Sequence, residues 1–186
     1  MPHFFSKLPS IMRTASLALG LLAPAQAMAQ IDFSAMPVGC SWTTTFSDGQ
    51  SVTETYLGQA KGKYKTTVTQ AGNAKAVIRT MLYDKRGRMV RKDWADGNWE
   101  TFTPYSCYSE PGNCTYRYKN SDGVSQKIAS ETQKQGKGYL VKAGPVGGKA
   151  YNDDYFEIGA FGLKTKQKSE NYASRLTAMD NCEPQS

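Results

Sequence analysis

Short runs rich in Thr, Tyr, Val and Phe alternate along the chain with clusters of Gly, Asn, Asp and Pro. The runs are SWTTTF, SVTETYL, KYKTTVTQ, AVIRTMLYD, MVRKDW, NWETFTPY, CTYRYKN, VSQKIAS, GYLVKA and YFEIGAFGL. β-Branched and aromatic residues of this kind suit a pleated, half-buried surface. Turn signals separate them, among them Asp48-Gly49, Gly72-Asn73, Arg86-Gly87, Asp96-Gly97-Asn98, Pro111-Gly112-Asn113, Asp122-Gly123 and Gly144-Pro145. Strands punctuated at roughly 8–12-residue intervals predict an all-β sandwich or barrel. The sequential tight hairpins predict a single antiparallel up-and-down meander.

Alternation within the runs supports this. In GKYKTTVT, Tyr64, Thr66 and Val68 share one face and Lys63, Lys65 and Thr67 the other. In CTYRYKN, Tyr116 and Tyr118 oppose Thr115, Arg117 and Lys119. Period two with one wet face is the pattern of an antiparallel sheet over a core. AVIRTMLY is apolar on both faces and predicts a central or doubly covered strand. In the tail, Tyr172, Leu176 and Met179 have helical spacing with Ser169 as a cap, so a short C-terminal helix and a closing strand both fit.

The first 29 residues stand apart. Lys7 and Arg13 precede the uncharged run ASLALGLLA, and Ala27-Met28-Ala29 follows as a small-x-small cleavage pattern. This predicts a cleaved secretory signal peptide over 1–29 and one β domain over 30–186. The apolar run is about half the ~20 residues a spanning helix needs. The expected product is exported, periplasmic or extracellular, with no membrane span after cleavage. The formal charge is +7, and Lys7 and Arg13 account for two of those charges.

Export changes how the cysteines read. Cys40, Cys107, Cys114 and Cys182 are an even set, which in an oxidising compartment predicts disulfides. Ser-Glu-Pro-Gly-Asn between Cys107 and Cys114 forms a tight turn that sets those two opposite each other. The expected pairing is therefore Cys107–Cys114 and Cys40–Cys182, the second tying the domain's ends together. A tetrahedral metal site prefers closer Cys or His pairs, and the one histidine, His3, lies in the signal segment. No metal and no cofactor are expected.

Without histidine in the domain, Ser-His-Asp and Cys-His catalysis are excluded, and no phosphate-binding GxxxxGK[ST] loop is present. A hydrolase built on two carboxylates remains as a third reading, with Asp153, Asp154 and Glu157 as its acids. Adjacent strand residues face opposite ways, so Asp153 and Asp154 do not share a site on a strand. Two alternating triplets, Lys61, Lys63, Lys65 and Lys164, Lys166, Lys168, predict one-faced basic stripes if extended. They are candidate contacts for an anionic envelope component or protein partner, and equally a device that protects edge strands. No nucleic-acid motif accompanies them.

The stretch YDKRGRMVRKDWADGNWETFTPY, with Tyr83-Asp84, Gly87-Arg88 and Asp96-Gly97, resembles one unit of the YD repeats of large secreted β-shells and implies two consecutive hairpins. Gly39-Cys40-Ser41-Trp42, Asp153-Asp154-Tyr155 and Arg175 resemble, in order, the motifs of lipocalins. That likeness implies a barrel that carries a small apolar ligand, with Arg175 packed over Trp42 by cation–π contact. The first expectation is an exported, non-catalytic binding or structural module. The lipocalin-like carrier is the alternative.

Overall fold

The computed structural model describes residues 30–108, 110–151 and 153–183; the expected signal peptide lies outside them. The strands are β1 (Ser41–Phe46), β2 (Ser51–Ala60), β3 (Lys63–Gln70), β4 (Asn73–Tyr83), β5 (Met89–Trp94) and β6 (Trp99–Thr103). They continue as β7 (Gly112–Asn120), β8 (Ser125–Gln135), β9 (Gly138–Pro145), β10 (Asp154–Ile158), β11 (Lys164–Lys168) and β12 (Ala173–Asp180). Each pairs antiparallel with the next, and β12 returns to β1 to close a twelve-stranded barrel. The predicted all-β meander is therefore a barrel rather than a sandwich. The tail is the closing strand and not a helix, because Trp42 and Met179 pair across the seam.

Alternation sets the two faces. On β8, Ile128, Ser130 and Thr132 are buried while Lys127, Ala129, Glu131 and Gln133 are exposed. The outer face carries charge on many strands, including Arg117, Lys127, Glu131, Lys142 and Lys166. This is the opposite of the apolar band of a lipid-facing barrel, where a mid-depth Arg or Lys costs about 2–4 kcal/mol. The both-faced apolar run on β4 is central, paired with β3 and β5, but not doubly covered. Val77 and Ile78 lie on the exposed outside, where irregular pairing with β3 and the curvature of the ring leave no second layer.

One end of the ring is closed. The start of β1, the end of β2 and the start of β3 lie there, as do the β4–β5, β6–β7 and β10–β11 connections. Residues 30–39 cross this end as a plug. Phe33 is buried among Tyr56, Tyr64 and Tyr83, with ring centroids 5.0, 5.0 and 4.8 Å away. Such a side chain contributes roughly 1.5–3 kcal/mol by burial. The Asp32 N–H donates to the Phe161 carbonyl at 2.9 Å, the Gly39 N–H to the Tyr56 carbonyl at 2.8 Å, and Gln30 Nε2 to Glu110 Oε1 at 2.9 Å.

Both disulfides, Cys40–Cys182 and Cys107–Cys114, sit at this same end. The first bridges residues 142 apart in sequence, beside the β1–β12 seam. By loop entropy it is worth about 5 kcal/mol, and the short one about half that. Two disulfides fit an oxidising, exported environment.

Gly87, in the β4–β5 turn, has φ +74°, and a Cβ there would run into the Ile31 carbonyl oxygen. Gly97, in the β5–β6 turn, has φ +92° and open space around it. Gly97→Ala is expected to cost about 1 kcal/mol from backbone conformation alone. Gly87→Ala should cost at least twice that in chemical denaturation and increase amide exchange around Phe33. Equal costs would mean that the plug does not depend on this contact.

Candidate functional site

Twelve strands enclose a wider space than eight, and eight already hold a side-chain-filled interior. Here the buried side chains gather in two groups. One is the floor around Phe33, Trp42, Val68 and Tyr83; the other lines the β6–β10 wall with Phe102, Tyr116, Ile128, Val141 and Phe156. Between them lies a cavity of about 590 Å³, within the ~300–1,000 Å³ range of small-molecule sites. It runs from Ile31 and Leu163 at the plugged end to Phe46, Val52 and Tyr172 at the other. Tyr172 there is 38% exposed, so that end forms the mouth.

Charge lines this cavity. Glu54 on β2 accepts hydrogen bonds at Oε1 from Thr66 Oγ1 at 2.6 Å and from the Tyr83 hydroxyl at 3.0 Å. Burial pushes its pKa above the usual carboxylate value, against the two hydroxyls and the charges of Arg79 and Lys92. Asp154 on β10 accepts from the Tyr108 hydroxyl and from Gln167 Nε2. Burial and this carboxylate push the Tyr108 hydroxyl well above its ordinary range. Glu54 and Asp154 are thus held largely by neutral donors, whereas Glu110, which also lines the cavity, accepts from Gln30 and lies 4.0 Å from Arg88.

The interior cations are held differently. Lys92 on β5 bridges Glu100 at 3.2 Å. Among the described residues, neither Arg79 nor Lys164 takes part in a salt bridge. The Nε of Arg79 is buried without a hydrogen-bond partner. The Lys164 ammonium lies 4.8 Å from the ring centre of Phe156 and 5.4 Å from that of Tyr108. Its pKa is pushed down to about 8 by burial, with Asp154 opposing and the charge of Lys92 adding a smaller push downward. Lys164 and Lys92 stand on diametrically opposed strands, and both line the cavity.

The predicted lysine triplets do not act as units. Lys61 sits in the β2–β3 turn at φ 50°, while Lys63 and Lys65 are on the outer face of β3. Lys166 and Lys168 are outside on β11, and Lys166 bridges Glu157 at 3.5 Å. Lys164 turns inward. Glu157 pairs with Lys166 but Ile158 pairs with Lys164, so one extra residue bulges β11 and reverses the facing. The two outer pairs are separated by β2, β1 and β12.

The acids divide as strand geometry requires. Asp154 points in, whereas Asp153 lies near Lys142 at 3.9 Å and Glu157 faces out. Trp42 is buried in the floor, but Arg175 pairs with Thr45 and Lys166 on the outer face. Arg175 therefore does not cover Trp42, and the lipocalin-like closure is absent. The consecutive hairpins expected from Tyr83 to Tyr105 are present as β4–β5 and β5–β6.

Glu54, Arg79 and Lys92 were not singled out in the sequence, although a signal existed. Glu54 shares parity with Val52 and Tyr56, and Arg79 with Met81 and Tyr83. A charge on the apolar parity of a strand marks an inward-facing ion.

Lys164 supplies a pH test. With a folded pKa near 8 and an unfolded value near 10.4, the unfolded chain binds more protons between these limits. Wild-type stability should therefore gain from this group as pH rises from about 8 to 10.4. Below pH 8 the buried charge costs on the order of 3 kcal/mol. Lys164→Met is expected to raise the thermal midpoint at pH 7 by roughly 5 °C and to remove that pH-dependent gain. A lower midpoint would show that the lysine is a structural partner.

Compared with known protein families, curated proteins and solved structures, the chain gives no significant match.

Proposed function

We propose that this protein is an exported, non-catalytic binding module that takes a small molecule into the open end of its barrel. The observation that carries this reading is the cavity of about 590 Å³, plugged at one end by residues 30–39 and reaching a mouth at Phe46, Val52 and Tyr172. Stapling both disulfides at the plugged end supports a rigid floor beneath a more accessible rim. Aromatic walls beside convergent charged groups give the cavity the means to orient a small ligand.

Binding without turnover is supported by the state of Glu54 and Asp154, two of the three acids that line the cavity. Glu54 and Asp154 are each committed to a tyrosine hydroxyl and a second donor. They also lie on β2 and β10, four positions apart around the ring. The outer basic residues support a contact with an anionic partner more weakly. They form two short pairs on separate strands, and Lys166 already has Glu157 as partner.

Native mass spectrometry of protein recovered from the exported fraction of its own cells tests this reading. The expected native mass exceeds the denatured mass by one small molecule. The denatured mass should also show a chain beginning near Gln30 and lacking four hydrogens. A native mass equal to the denatured one contradicts the carrier reading, and a chain retaining residues 1–29 contradicts export with cleavage.

A further inference from the structure

Resting on that reading, we propose that the ligand is a small amphipathic monoanion, whose head enters first and sits between Lys164 on one wall and Arg79 and Lys92 on the other. The interior charges are unevenly satisfied. Glu54 and Asp154 are hydrogen-bonded by Thr66, Tyr83, Tyr108 and Gln167, which bring no positive charge. Of the cations beside them, Arg79 and Lys164 are thereby left without close counter-ions, whereas Lys92 keeps Glu100 at 3.2 Å. Arg79 has neither a salt bridge nor a partner for its buried Nε, and Lys164 rests on two aromatic faces.

A buried donor with no acceptor costs free energy, and an unpaired buried charge costs more. The same groups become favourable once an anion supplies the missing acceptors. Cation–π contact with Phe156 and Tyr108 holds the Lys164 ammonium in place without neutralising it. Lys92, already paired with Glu100, adds a smaller repulsion to that ammonium, and an anion at Lys164 would relieve it.

The geometry also fixes the rest of the ligand. Residues 30–39 close the floor, so entry is from the mouth. Lys92 and Arg79 are wall residues below the rim, and Phe46, Val52 and Tyr172 lie nearer the mouth. A ligand that enters head-first leaves its body against these apolar and aromatic side chains. The acids Glu54 and Asp154 line the same cavity, and they disfavour a second negative charge on the head. A monoanion with an alkyl or aryl body satisfies all of these conditions.

Titration follows from the surroundings of Lys164. The groups facing it are Asp154 from β10, Tyr108 from the β6–β7 loop and Lys92 from β5, with Tyr172 near Asp154. With Lys164 losing its proton near pH 8, the preference for an anion is full below that pH and falls as pH rises through it.

Isothermal titration of the full exported chain with laurate, phenylbutyrate and naphthoate, each beside its uncharged primary amide, tests the proposal. Inorganic phosphate serves as an anion without a body. At least one carboxylate is expected to bind about tenfold or more tighter than its amide, as charge-assisted hydrogen bonds allow. Phosphate should bind more weakly than that carboxylate. Lys164→Met and Arg79→Met should each erase most of the preference, while Lys168→Met on the outer face leaves it unchanged. The preference of the wild type should shrink above pH 8, and that of Lys164→Met should not change there.

Amides that bind as tightly as their carboxylates overturn the anion assignment and leave the small-molecule reading standing. Phosphate that binds as tightly as the carboxylates overturns the amphipathic body. Absence of binding by every compound overturns both readings.

Discussion

Everything else in this protein depends on the closure of twelve strands into one ring. The β1–β12 ladder joins the first strand to the last, and Cys40–Cys182 locks the ends just beyond it. Closure removes every sheet edge, which frees the outer face to be polar and charged without inviting strand addition. It also fixes the circumference. A ring of this size is too wide for wall side chains to meet across it everywhere, so the fold must close its own floor and leave space above it.

The floor is made by chain that precedes the first strand. Phe33 fills the centre of a tyrosine cluster, and Gly87 and Gly162 allow the backbones of Ile31 and Gln30 to pass where a Cβ would block them. Plug, disulfides and aromatic cluster all act at the same end. The opposite end is left with turns and with the partly exposed rim of Phe46, Val52 and Tyr172. This asymmetry makes the barrel a cup, and the charges inside the cup are costly to the folded state. A lysine whose pKa is lowered to about 8 by burial is one that folding alone would not favour. On the proposed reading, retaining it together with an unpartnered Arg79 Nε is a trade of stability for ligand binding.

Much of this was legible in the sequence. Gly- and Asn-bearing turns marked nearly every hairpin, and the Glu-Pro-Gly-Asn turn with two terminal cysteines gave the disulfide pairing found in the structure. Strand count and closure were less legible, because β11 is the lysine-rich segment 164–168 and β12 has both helical and strand spacing. Only pairing with the neighbours decides between those. The plug reads as a linker, since its few apolar residues gain meaning from a floor that lies far away in sequence. Lys164 could not be placed by parity, because a single bulged residue reverses its facing relative to Lys166 and Lys168. The inward charges on β2, β4 and β5 were legible in principle from their sharing parity with apolar residues.

The proposed function makes the interior, and not the outer lysines, the working surface. Anomalous diffraction from crystals soaked in sodium iodide tests it most directly, because iodide reports where a monoanion is welcome. An ordered iodide is expected inside the barrel, between Lys164 and the Arg79–Lys92 wall, and should be lost in Lys164→Met. Iodide found only beside outer residues such as Lys63, Lys65, Lys166 and Lys168, with the lumen holding water alone, would contradict it.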